Sequence, residues 1–173
     1  KDKLYKELLF LLKTHGRGDV FNRLLLSYGI YSSRLVKECI QVYRLHYPKI
    51  ELQEEVRRLL IETKSLYGRL YLVTDGNLNV QRRKIDALGL KKYFHLTIPT
   101  HQYGLKNSKP SIYVFNKIAA WENVNIKDLV YIGDNPNKDF IELNKCGATT
   151  IRINQGMFKD LKRGNPYDAK IEV

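Results

Sequence analysis

Three short polar clusters in this 173-residue chain hold the residue types from which phosphate chemistry is built. In YLVTDGN, Tyr71 to Asn77, an apolar run ends in a hydroxyl, a carboxylate and a glycine. Lys109 stands immediately before Pro110, and in YIGDNPNKDF, Tyr131 to Phe140, a second apolar run ends at Gly133 and Asp134, with Asp139 a little further on. A carboxylate pair such as Asp134 and Asp139 suits a hard cation like Mg2+, which takes oxygen ligands, keeps waters and accepts a phosphate oxygen. A lysine supplies a point positive charge for a phosphoryl group. The Thr74 hydroxyl, with the turn at Asp75 and Gly76, can hold the equatorial oxygens. Each piece also has a plainer reading: Asp-Gly is a common turn pair, either later aspartate can cap a helix, and a lysine can simply be solvated. The order of the pieces, each at the end of an apolar run, favours one site.

The elements that must position them follow from pattern. Leu4, Leu8, Leu11 and Leu12 recur at helical spacing before Gly16; Asp19 can cap a second helix to Gly29; Ser32 or Ser33 can cap a third that stops at Pro48. A fourth helix is expected from about Leu52 to Leu66, ending near Gly68. The pattern then changes to strands alternating with helices. Strands are expected at Leu70 to Thr74, His95 to Ile98, Leu129 to Ile132 and Thr149 to Ile153. Helices are expected at Asn79 to Leu88, after Pro110, and after Pro136 as far as Gly147; Ala169 to Val173 can add a last strand. Alternation with short connections implies an α/β fold, a doubly wound parallel sheet, in which Thr74, Lys109 and Asp134 emerge on one rim. The segment from Thr100 to Ser108 reads as a flexible rim beside Lys109. The division falls near Pro48: residues 1–48 helical, 49–173 the α/β core.

Composition bounds the partners. Thirty Lys plus Arg against eighteen Asp plus Glu leave +12, which favours anionic partners, but the basic residues are scattered and form no dense stripe for specific nucleic-acid binding. Cys39 and Cys146 form neither a CxxC pattern nor a histidine-rich cluster, which fits a reducing cytoplasm. No apolar stretch approaches membrane-spanning length. His15, His46, His95 and His101 lie in unlike contexts, and Trp121 and the tyrosines fall at core-like positions. Oligomeric state is not written in the pattern.

The run from Arg69 to Asn154 resembles the haloacid dehalogenase superfamily: its second motif matches LVTDG, its third the lysine of SKP, its fourth GDNPNKD. The resemblance implies a Rossmann-like core with a small helical cap. It also implies Mg2+-dependent phosphoryl transfer through an aspartyl-phosphate, mostly on small phosphorylated metabolites. Thr74 would bind the phosphoryl group, Lys109 would balance charge, Asp134 would ligate the metal and Asp139 would support its shell. The helices before Pro48 resemble the cap.

One piece of that family's pattern is missing. Its nucleophile is the first aspartate of a DxDxT motif at the end of the first core strand, and neither Asp2 nor Asp19 follows an apolar strand. Its first strand lies between those ending at Thr74 and Asp134, so two buried strands are expected to have unpaired edges. Three explanations are open: trimming before Lys1, which is not Met; a strand from another chain or segment; or a degenerate relative. The expected function is therefore a phosphatase whose nucleophile lies outside these residues. The alternatives are an inactive interaction or regulatory module and, behind it, a basic nucleic-acid-binding domain.

Overall fold

Residues 2–16 and 18–173 are described by a computed structural model; Lys1 lies outside them. The backbone divides into two units, Lys1–Pro48 and Lys49–Val173. The first is helical: α1 (Asp2–His15), α2 (Val20–Ser27) and α3 (Ser33–Leu45). Its small core is Val20, Leu24 and Leu25, and Glu7 ties α1 to α2 by accepting hydrogen bonds from the Ser27 and Tyr28 hydroxyls. Ser32 caps α3 by accepting the Leu35 N–H at 3.1 Å. Asp19 holds the N-cap position of α2 but makes no capping bond. Its carboxylate is drawn instead to the side chains of Asn22 and Arg23.

In the second unit α4 (Glu54–Tyr67) ends at Gly68, whose φ of +77° turns the chain where a side chain would be strained. There follow β1 (Tyr71–Thr74), α5 (Leu78–Ala87), β2 (Leu96–Pro99), α6 (Tyr113–Glu122), β3 (Val130–Gly133), α7 (Ile141–Lys145), β4 (Thr149–Arg152) and β5 (Ile171–Glu172). All strand pairs are parallel, but they form two sheets: β1 with β2, and β4 between β3 and β5. Among the described residues one edge of β1 and one of β3 carry no partner strand.

One apolar cluster serves both sheets. Val73 of β1 and Ile98 of β2 join Val114, Phe115 and Ile118 of α6 with Leu143 and Ala148, and Tyr131 of β3 packs against them. Phe115 meets Tyr131 edge-on, with ring centroids 4.9 Å apart. Each fully buried apolar side chain contributes roughly 1.5–3 kcal/mol, so α6 is the common floor that holds β1 and β3 in one body. The opposite face of β3 is open: Val130 and Ile132 are 61% and 49% exposed, although strands of parallel sheets are normally covered on both faces.

Two further sequence expectations change. The helix after Pro136 begins only at Ile141, because residues 134–139 form a turn around the Asp139 carboxylate. The stretch from Thr100 to Ser108 is not a loose rim but two 3-10 turns, with Thr100 fully buried and Tyr103 packed edge-on against Tyr113. Past β4 the chain is gathered around Arg152, which is wholly buried. Its guanidinium donates to the Phe158 and Lys159 carbonyls and lies 3.5 Å from Glu172 and 3.9 Å from Asp168.

Candidate active site

The carboxyl ends of β1 and β3 meet at Lys109. Asp75, the first residue beyond β1, turns its carboxylate toward the loop that carries the lysine. Its Oδ1 accepts the Thr100 hydroxyl at 2.6 Å and the Lys109 backbone N–H at 3.2 Å. Its Oδ2 is buried without a hydrogen bond and has the Lys138 ammonium at 3.7 Å. Lys109 then reaches β3: its ammonium lies 2.7 Å from Asp139 Oδ1 and donates to the Tyr131 hydroxyl oxygen at 3.0 Å. Asp139 Oδ2 accepts the backbone N–H groups of Asp134 and Asn135 at 3.1 and 2.9 Å.

Asp139 is thus a hub rather than an open ligand. It is 4% exposed, and both oxygens are occupied by donors from Lys109, Tyr131 and the following turn. Gly133 leaves it room: a Cβ there would stand 2.6 Å from Asp139 Oδ2 and 2.9 Å from its Cβ and Cγ. Burial pulls the Lys109 ammonium toward neutrality, but the Tyr131 and Asp139 oxygens outweigh it and hold its pKa above the ordinary lysine value. Burial pushes the Tyr131 phenol up to about 12 against the opposing pull of Lys109.

Asp134 differs. The residue is exposed, yet its carboxyl sits low enough in the turn for desolvation first, and repulsion from Asp139 second, to raise its pKa. Such a carboxylate gains from a cation beside it. No group of three or more His, Cys, Asp or Glu side chains able to hold a metal occurs among the described residues. On the other flank, Thr74 is half-buried and its hydroxyl donates to Gln81 Oε1 at 2.9 Å. Gly76 has a φ of +131°, a conformation that favours glycine.

Thr74, Asp75, Lys109, Asp134 and Asp139 are therefore linked from one strand end to the other through Asp75 and Lys109. Gln81, Thr100, Tyr131 and Lys138 also belong to this network, and sequence reading did not single them out. Gln81 had a usable signal, since it stands one helical turn beyond the Asn77 cap and so overhangs the turn. Thr100 had none.

Residues 20–153 match the family described as haloacid dehalogenase-like hydrolase. The chain belongs to the haloacid dehalogenase-like hydrolases. Relatives include proteins named glyceraldehyde 3-phosphate phosphatase from Methanopyrus kandleri, 26% identical over 98% of this chain and 73% of its own length, and from Methanocaldococcus jannaschii, 28% identical over 83% and 62%. A protein named phosphoserine phosphatase from Thermus thermophilus is 26% identical over 71% of this chain and 47% of its own length. This haloacid dehalogenase-like chain thus spans about half to three-quarters of those proteins. Among solved structures it shares its fold with YfnB from Bacillus subtilis, solved bound to magnesium, at a TM-score of 0.65 and 18% identity, covering 99% of this chain and 75% of that one. A HAD phosphatase from Thermococcus onnurineus gives 0.56 and 21%, covering 99% and 74%.

Proposed function

We propose that this haloacid dehalogenase-like chain supplies most of a Mg2+-dependent phosphatase for a small phosphorylated metabolite. The attacking carboxylate would enter on a strand between β1 and β3. The observation that carries this reading is the Asp75–Lys109–Asp139 network, which brings Thr74 and Asp134 to the meeting point of two strand ends. The names of the relatives, which refer to small phosphate esters, support the substrate class. The unpaired edges of β1 and β3, with Val130 and Ile132 uncovered, support the position of the strand.

In this reading Thr74 and the turn at Asp75 and Gly76 hold the phosphoryl oxygens, and Lys109 sets a fixed positive charge beside them. Asp75 acts through its carboxylate by fixing the Lys109 backbone, so its share in phosphate binding falls to the main chain. Asp139 orients both Lys109 and the Asp134 turn. Asp134 fits a hard cation because the residue is open to solvent while burial of its carboxyl and repulsion from Asp139 disfavour the negative charge, which a neighbouring cation would relieve; a second carboxylate would come with the entering strand. When bound, the cation draws charge from the phosphoryl oxygens. The nucleophile splits transfer into two easier steps, which Thr74 and Lys109 cannot do by positioning alone. The helical unit of residues 1–48 is assigned the cap's role in substrate choice.

The test compares this chain with and without an apolar segment ending in DxDxT, using p-nitrophenyl phosphate with Mg2+ or a chelator. The chain alone should be silent, and the completed protein should hydrolyse the ester only with Mg2+. Equal turnover by both forms would refute the missing-strand mechanism.

A further inference from the structure

The Gln81 amide lies across the turn after β1 and engages it at two points. Its Oε1 accepts the Thr74 hydroxyl at 2.9 Å. Its Nε2 lies 2.7 Å from where a Cβ on Gly76 would stand, with Cδ at 3.4 Å and Cγ at 3.5 Å. Gly76 therefore supplies the φ of +131° that the turn requires and also leaves the space in which the amide rests. Asn77 fixes the start of α5 by accepting the Asn79 and Val80 N–H groups, so the backbone that carries Gln81 is itself held.

We propose that Gln81 is a positioning residue of the phosphate site, an amide that sets the direction in which the Thr74 hydroxyl donates. The proposal rests on the phosphatase reading above. A threonine hydroxyl has one hydrogen and two lone pairs. While that hydrogen points at Gln81 Oε1, Thr74 turns only lone pairs elsewhere, and these repel an anionic phosphoryl oxygen. For Thr74 to donate to the ligand, its hydrogen must rotate away and its oxygen must accept a donor in exchange. The glutamine side chain holds that donor in the same group: a half-turn of the amide exchanges Oε1 for Nε2, and the N–H then donates to Thr74 Oγ1. With the amide so turned, the hydroxyl is aimed at the bound phosphoryl group before transfer begins, as electrostatic preorganisation requires. An ionised glutamate at this position accepts but cannot donate. It would keep the Thr74 hydrogen for itself and set a negative charge beside the phosphate.

The experiment uses the chain completed by the DxDxT-ending segment and measures inorganic phosphate as a competitive inhibitor of p-nitrophenyl phosphate hydrolysis, and phosphate binding by calorimetry. Gln81→Met should weaken phosphate binding about threefold to tenfold, the range of one neutral hydrogen bond, and should have no such effect in a Thr74→Val background. Gln81→Glu should weaken it more than tenfold at neutral pH. Binding should recover as pH falls toward the ordinary glutamate value of about 4.3, where the protonated carboxyl again both donates and accepts, measured relative to wild type at each pH. An equal loss from Gln81→Met with and without the Thr74 hydroxyl would overturn the proposal. So would a Gln81→Glu protein that binds phosphate as wild type does. If Gln81→Met fails to fold, the pH profile of Gln81→Glu decides alone. A folded wild-type protein that neither binds phosphate nor hydrolyses the ester would instead overturn the phosphatase reading on which the proposal stands.

Discussion

Replacing Asp139 by Asn removes one charge from a pair whose side chains are 2% and 12% exposed, and it does so without changing size. Oδ1 faces the Lys109 ammonium at 2.7 Å, and Oδ2 faces two backbone N–H groups at 2.9 and 3.1 Å. An asparagine has one oxygen and one NH2, so in either orientation a donor meets a donor. Breaking a buried pair from one side costs about 3–5 kcal/mol, against a typical total stability of roughly 5–15 kcal/mol. With a urea slope of about 2 kcal/mol per molar, the unfolding midpoint should fall by roughly 2 M. Trp121, the chain's single tryptophan, lies in α6 stacked on Tyr71 of β1 and reports on the 49–173 unit by fluorescence. Lys109→Met combined with Asp139→Asn should be less destabilised than Asp139→Asn alone, because no uncompensated ammonium is left buried. A midpoint within about 0.5 M of wild type, with unchanged slope, would refute the view that this pair holds the two strand ends together.

Three further outcomes follow from the same geometry. Gly133→Ala should destabilise by about 1–3 kcal/mol in thermal or urea unfolding, because its Cβ would meet a carboxylate that is pinned on both sides; an unchanged midpoint would contradict that packing. Tyr131→Phe should cost about 1.5–3 kcal/mol by removing the hydroxyl oxygen that accepts from the buried Lys109 ammonium, and a loss below 0.5 kcal/mol (about a third of that minimum) would show the contact to be idle. In the completed enzyme, Asp134→Asn should depress hydrolysis and raise the Mg2+ concentration needed for half-maximal rate, and chelation should abolish wild-type turnover; an unchanged Mg2+ requirement in Asp134→Asn would remove Asp134 from the role proposed for it.

Strands β1 and β3 were legible because each is an apolar run stopped by a turn residue, and the placement of Thr74 and Asp134 at strand ends follows from that alone. The course of residues 134–139 was not. Pro136, with Phe140, Ile141 and Leu143 further on, suggests a helix start, but the two backbone N–H groups taken by Asp139 hold the chain in a turn until Ile141. That is a tertiary demand which local pattern does not contain. Thr100 was lost for the same reason, since a threonine in a polar connection carries no mark of the Asp75 carboxylate 25 residues away that buries it. The unpaired edges were expected from the resemblance, whereas the common floor supplied by α6, which lets β1 and β3 share one apolar cluster despite the gap between their sheets, emerges only from the packing.

The two-residue strand β5 hides little apolar surface: Ile171 is 46% exposed and Val173 70%. Judged by area, the final stretch is dispensable. Judged by charge it is not, because Asp168 and Glu172 are the carboxylates that stand against the fully buried Arg152, whose Nε and Nη1 have no hydrogen-bond partner. The tail serves as a tethered counterion. Clipping the chain after Tyr167 would strand a guanidinium inside the protein, and Arg152→Met should make that clipping far less damaging, since a neutral side chain needs no counterion.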